Sequence, residues 1–123
     1  MTARIAAIVL GIVFVLVGLL GFFNNPVLGL FLVDPAHNLV HIISGVVLLA
    51  GAYSSLGSSL ALKIIGIVYA IIAIIGFFMV GADGKLLGFI AMNEADKWLH
   101  VVLAVVILAA GFLLPDDDKA TAM

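Results

Sequence analysis

Three histidines are the residues of this chain best suited to do chemistry. His37 and His41 stand four apart in DPAHNLVHIISG (34–45), and His100 stands in NEADKWLHVVLA (93–104). Imidazole can ligate a metal or a haem iron, relay a proton, or hydrogen-bond from one helix to another. Which of these applies depends on the elements that carry the rings and on the solvent around them.

That solvent is lipid. Hydrophobic residues make up 66% of the 123 residues, charged residues only 10%, and the mean hydropathy is +1.43. A soluble domain holds about 45–50% apolar and about 25% charged residues, and a chain this short has too much surface to hide such an excess. Four apolar runs, roughly 4–23, 36–53, 60–80 and 94–114, approach the ~20 residues that cross a bilayer as helix. Backbone groups in hydrocarbon must be satisfied internally, and no alternating ten-residue pattern suggests a barrel. The run from Ile5 to Phe23 exceeds the ~7–15 apolar residues of a signal peptide and reads as a retained span. The expectation is one all-α transmembrane domain over 1–114, with a polar tail at 115–123. Partners are then the bilayer and other membrane subunits. The net charge of -2 comes largely from Asp116, Asp117 and Asp118, and no basic patch exists to bind nucleic acid. With no cysteine, disulfides, thiolate zinc sites and iron–sulfur clusters are excluded.

The halves repeat. GIVFVLVGLLGFF (11–23) aligns with GIVYAIIAIIGFF (66–78), and LGLF (28–31) with LGFI (87–90). DPAHNLVHIISGVVLLA (34–50) aligns with NEADKWLHVVLAVVILA (93–109) at six identities in seventeen positions, pairing His41 with His100. Units of two spans, about 4–53 and 60–114, run in the same direction, so the expected fold is a four-helix bundle of two parallel hairpin repeats. The apolar loops at 24–33 and 81–92 are too short to cross and read as interfacial or re-entrant, whereas SSLGSS (54–59) is a polar turn. Arg4, Lys63 and Lys119 against Lys85 and Lys97 lean both termini to the cytoplasmic side.

The polar residues have structural readings first. Asp34 before Pro35 starts a helix, and Asn93 with Asp96 forms a near capping box. His37, aligned with Asp96, falls at headgroup depth, while Trp98 and Lys97 reach the interface. His41 and His100 each lie seven residues past the cap, or about 10 Å into the helix, deep enough to require partners. Asn38 and Ser44 share the face of His41.

In the preferred reading these groups form a structural polar cluster of Asn38, His41, Ser44, Lys97 and His100 that joins the helices. In a second reading His41 and His100 ligate haem, a chlorin or a metal, with Gly45 and Ala104 leaving room for a flat ring. In a third they relay protons, although spans one and three offer no ionisable group to continue a path. Enzyme chemistry lacks a nucleophile turn or an oxyanion site. The most plausible role is a non-enzymatic accessory or scaffold subunit, followed by a cofactor or metal binder, and then a small-solute or ion transporter. The Ala7–Gly11 and Gly66–Ala70 small-residue pairs serve either the bundle or an oligomer.

The segments NNPVLGLFLVDPAHNLVHIISGVVLLAGA and FIAMNEADKWLHVVLAVVILAAG resemble a bacterial family of small four-helix membrane proteins defined only by a domain of unknown function. Its pattern of H-N-[IVL]-V-H followed by glycine, then N-x-A-D-N-W-L-H, maps onto Asn38, His41, Gly45, Asn93, Asp96, Trp98 and His100. Lys97 departs from it, standing where the family has asparagine. The resemblance implies the four-helix membrane fold and no particular activity.

Overall fold

The computed structural model describes residues 1–116; the expected tail lies outside the described residues from 117 onward. Four helices carry the fold: α1 (Ala3–Leu20), α2 (Pro35–Tyr53), α3 (Ser58–Phe78) and α4 (Glu94–Leu113). All four are long and apolar enough to cross a membrane. α1 packs closely on α2 and α3 on α4, giving two hairpins, and α2 and α1 both touch α3 across the middle. Where the chain enters and leaves, the Ala3 N–H donates to the Pro115 carbonyl at 2.9 Å, so both ends of the described chain lie together. Arg4 Nε donates to the Ala52 carbonyl at 3.1 Å at that same end.

The distribution of side chains suits lipid. Ile5, Val9, Ile12 and Leu16 of α1 recur every three or four residues and are all exposed, so a continuous aliphatic stripe faces outward. Inside, beside core residues such as Leu48, Leu62 and Ile107, lie small residues and polar ones, including all three histidines, Asn38, Ser44 and Asp96. That pattern suits a bilayer, because in lipid the polar groups must find protein and the aliphatic ones need not.

The repeat is visible in the burial. Ala7, Gly11, Phe14 and Gly18 of α1 are buried, and so are their counterparts Leu62, Gly66, Tyr69 and Ala73 of α3. On α2 the buried His37, His41, Gly45, Leu48, Gly51 and Ala52 match Asp96, His100, Ala104, Ile107, Ala110 and Gly111 of α4. Glycine sets the separation within each hairpin. A Cβ at Gly45 would stand 2.6 Å from the Gly11 carbonyl oxygen and 2.6 Å from Val15, and one at Gly66 would stand 2.7 Å from Leu108. Gly11 and Gly66, the small residues whose use was open from sequence, are therefore spent on contact within the hairpins.

Each apolar loop folds into the same tight turn. Val27 bridges Phe31, and Leu86 pairs with Ile90, the latter in a short hairpin of β1 (Lys85–Leu86) and β2 (Ile90–Ala91). The two central residues of each turn have positive φ: Leu28 at 54° and Gly29 at 72°, Leu87 at 53° and Gly88 at 82°. Within each three-residue loop, the Leu30 and Phe89 N–H groups donate to the Val27 and Leu86 carbonyls and close a β-turn of primed type, which explains a glycine at the second central position of both. The turns leave Leu28, Leu30, Leu87 and Phe89 exposed while Val27, Val33, Leu86, Ile90 and Met92 are buried against the bundle. The interfacial segments read from sequence are thus folded caps over one end, and they add a small β-hairpin to an otherwise helical fold.

Gly45→Val should force α1 from α2 and lower the unfolding free energy in detergent by about 1–3 kcal/mol. Val46→Leu, on the lipid face, should leave the thermal midpoint unchanged. Equal midpoints for both variants would remove glycine contact as the determinant of hairpin packing.

Candidate functional site

The site is built at the capped end. Asp34 is the N-cap of α2, and one carboxylate oxygen accepts the His37 N–H at 2.9 Å. The other accepts the Ala91 N–H at 3.0 Å, reaching into the second repeat. Asn93 caps α4 by accepting the Asp96 N–H at 2.9 Å, and Asp96 Oδ2 accepts the Asn93 N–H at 3.0 Å, completing the capping box. Asn93 also crosses to the first repeat, its Nδ2 donating to the Leu30 carbonyl at 2.9 Å. Both caps therefore act locally and between repeats, a double role that spacing did not reveal.

Beneath the caps, four rings meet. His41 and His100, equivalent in the repeat, have centroids 6.3 Å apart. Phe14 and Tyr69, also equivalent, lie 5.2 Å apart and edge-on. Within the first hairpin Phe14 contacts His41 at 5.8 Å, and within the second Tyr69 contacts His100 at 5.7 Å. The matching distances give the symmetry that the sequence alignment implied.

His37 breaks that symmetry. The expectation placed it at the wet end of α2, but it is 1% exposed, 4.6 Å from the His41 ring and 5.5 Å from the His100 ring. The reason is the second loop, whose β2 carbonyl at Ala91 meets His37 Nδ1 at 2.7 Å. A carbonyl only accepts, so Nδ1 carries the proton, and in the neutral ring Nε2 presents a lone pair. His37 Nε2, both nitrogens of His41 and His100 Nδ1 are buried without a hydrogen-bond partner in the protein. One ligand atom from each ring lies within 4.8 Å of the other two, and all three residues are buried.

The remaining members expected in the cluster go elsewhere. Asn38 packs on the end of α1, where a side chain at Gly21 would collide with it. Lys97 occupies the equivalent place beside Gly76 and pairs with Glu94 at 3.1 Å. Asn38 and Lys97 therefore face partners within their own hairpins and not each other, so neither joins the histidines. Ser44 donates to the Val40 carbonyl at 2.7 Å, which leaves the Tyr69 hydroxyl to donate to Ser44 Oγ at 3.1 Å. Tyr69 closes one side of the histidine group. Its alignment with Phe14 was the available signal, since a hydroxyl on a buried position of span three requires an acceptor.

Beside His41 lies a cavity of about 150 Å³, bounded by Phe14 and Val17 of α1, Val27 and Phe31 of the first loop, and Leu99 and Leu103 of α4. The equivalent space in the other repeat is filled, because Leu86, Ile90 and Met92 pack there with Val40, Ile72 and Ile75. A haem or chlorin between His41 and His100 does not fit. The cavity is smaller than the ~300–1,000 Å³ of ligand pockets, and His37, Phe14 and Tyr69 occupy the flanks. Gly45, expected to leave room for a flat ring, is covered by Gly11 and Val15. A single ion needs none of that space.

Fold and site together define a small four-helix membrane bundle that encloses a histidine group at one end. The chain belongs to the family of the domain of unknown function DUF4383, whose model matches residues 4–113. No curated protein and no solved structure matches it.

Asp34→Ala removes two hydrogen bonds and should destabilise the bundle by about 1–3 kcal/mol in detergent unfolding; a change within error would reduce Asp34 to a surface cap. Ser44→Ala should lose about 1 kcal/mol by stranding the Tyr69 hydroxyl, and Ser44→Ala with Tyr69→Phe should lose less than the two single changes summed. Additive losses would show that the two hydroxyls are not coupled.

Proposed function

We propose that the protein is a non-enzymatic accessory component of the membrane that holds one first-row transition-metal ion on His37, His41 and His100. The observation that carries this reading is the convergence of three buried imidazoles, each offering a nitrogen within 4.8 Å of the others, together with the lack of a protein partner at His37 Nε2, both nitrogens of His41 and His100 Nδ1. Unpaired buried polar atoms are costly and rare, and three at one point are satisfied together by one cation. Imidazole suits zinc, copper, iron and nickel. The Ala91 carbonyl on His37 Nδ1 supports it further, because metal-ligating histidines donate their other ring N–H to an orienting acceptor. Ligands on one ion at about 2.0–2.1 Å lie roughly 3.3–3.5 Å apart, so rings whose nitrogens stand within 4.8 Å need to close by up to about 1.5 Å. His37 and His41 sit on one helix and His100 on another, so an ion would clamp the first repeat to the second.

The same reading puts both termini on the cytoplasmic side of a bacterial inner membrane, supported by Arg4 and Lys63 at the terminal end and by Lys119 in the tail. A reporter fused after Met123 should be active only in its cytoplasmic form.

The metal reading is tested on purified protein in mild detergent by elemental analysis and metal titration. One ion per chain is expected, lost in His41→Ala and in His100→Ala. Saturation at about a hundred times Kd should raise stability by about 2.7 kcal/mol. If wild-type protein takes up no first-row metal above background, the rings are core packing and His41→Phe should be tolerated.

A further inference from the structure

We infer that the ion this site selects is monovalent copper, Cu(I), held by the three imidazoles alone and open on the side of the cavity; this rests on reading the histidines as a metal site. The first argument is charge. Among the described residues no carboxylate joins the three ring nitrogens, and the chain has no cysteine. Asp34 is the nearest candidate anion by sequence, and its two oxygens are taken by the N–H groups of His37 and Ala91. Asp96, at the place equivalent to His37, is held at its own cap, where Oδ2 accepts from Asn93, and its buried, unpartnered Oδ1 does not come within the histidine group. Three neutral ligands leave the full charge of the ion in place. The solvation lost on burial scales with charge squared, so a monovalent ion loses about a quarter of what a divalent ion of like size loses.

The second argument is coordination. Zinc almost always takes four ligands, and a three-histidine zinc site needs water or another donor for the fourth. Here the open side of His41 faces a cavity whose other lining residues, among them Phe14, Val17, Val27 and Leu103, are all apolar. Nothing there holds a water by the two to four hydrogen bonds it requires. Cu(I) is a closed-shell ion that is content with three nitrogen ligands. The cavity lies on one side only, because its equivalent is filled by Leu86, Ile90 and Met92. The open position therefore admits a small neutral molecule from one direction.

The test uses the full chain in detergent under anaerobic conditions. Cu(I) is titrated against a chromophoric Cu(I) chelator, and the loaded protein is then challenged with about a tenfold excess of Zn(II). One Cu(I) per chain should remain bound, with three nitrogen scatterers at about 2 Å by X-ray absorption. Carbon monoxide should add one infrared band, which Val17→Phe, filling the cavity, should weaken while leaving copper bound. His100→Ala, which removes one of the three ligands, should lose Cu(I) to the chelator. Displacement of copper by Zn(II), or a fourth protein or water ligand on the bound copper, overturns the inference while leaving a metal site. Failure of both ions to bind overturns it together with the reading it rests on. The wild-type competition needs no variant to fold.

Discussion

The carboxylate of Asp34 is the contact on which the arrangement at the capped end depends. In a bilayer a free backbone N–H has no water to turn to, and each one left unpaired costs several kcal/mol. Asp34 satisfies one such donor at the start of α2 and another in β2, so a single side chain begins a helix and seats the opposite loop. With β2 seated, the Ala91 carbonyl lies against His37 and turns its imidazole inward. Asn93 makes the reciprocal crossing to Leu30. The histidine group exists where it does because the two loops close over it.

Glycine contact does the corresponding work in the middle of the membrane. With Gly11 against Gly45 and Gly66 against Leu108, each hairpin is drawn tight. The large aromatic and imidazole rings are left to fill the space between hairpins. Packing in lipid gains little from burying apolar surface, so close approach of backbones and a few internal hydrogen bonds have to hold the helices. The Ser44–Tyr69 pair is one of these.

Much of this was legible in the sequence. The spans, the caps at Asp34 and Asn93, and the pairing of His41 with His100 follow from hydropathy, capping chemistry and internal alignment. What escaped depends on the loops and on helix rotation. His37 is the third residue of a helix, a place that faces solvent unless something covers it, and the cover comes from a hairpin more than fifty residues away. That hairpin turns on a leucine at positive φ, which composition does not announce. The sequence groups Asn38 and Lys97 with the histidines, at places the repeat equates. Equivalence in a repeat shows only that two residues have like surroundings, and these surroundings are the tight faces within each hairpin.

The departures from symmetry fall together, and this bears on the chemistry of the site. A strict repeat would place either two histidine pairs or two aspartates beneath the caps. Four inward imidazoles would crowd the space that Phe14 and Tyr69 help to fill, and two aspartates would leave His41 and His100 as the only nitrogen donors. The chain has instead one histidine and one aspartate at the equivalent places, His37 turned inward and Asp96 turned to its own cap. The cavity is asymmetric in the same way, open beside His41 and filled in the other repeat. A symmetric frame thus fixes the depth and separation of two imidazoles, and a single departure at His37 supplies the third donor while keeping the group free of carboxylate.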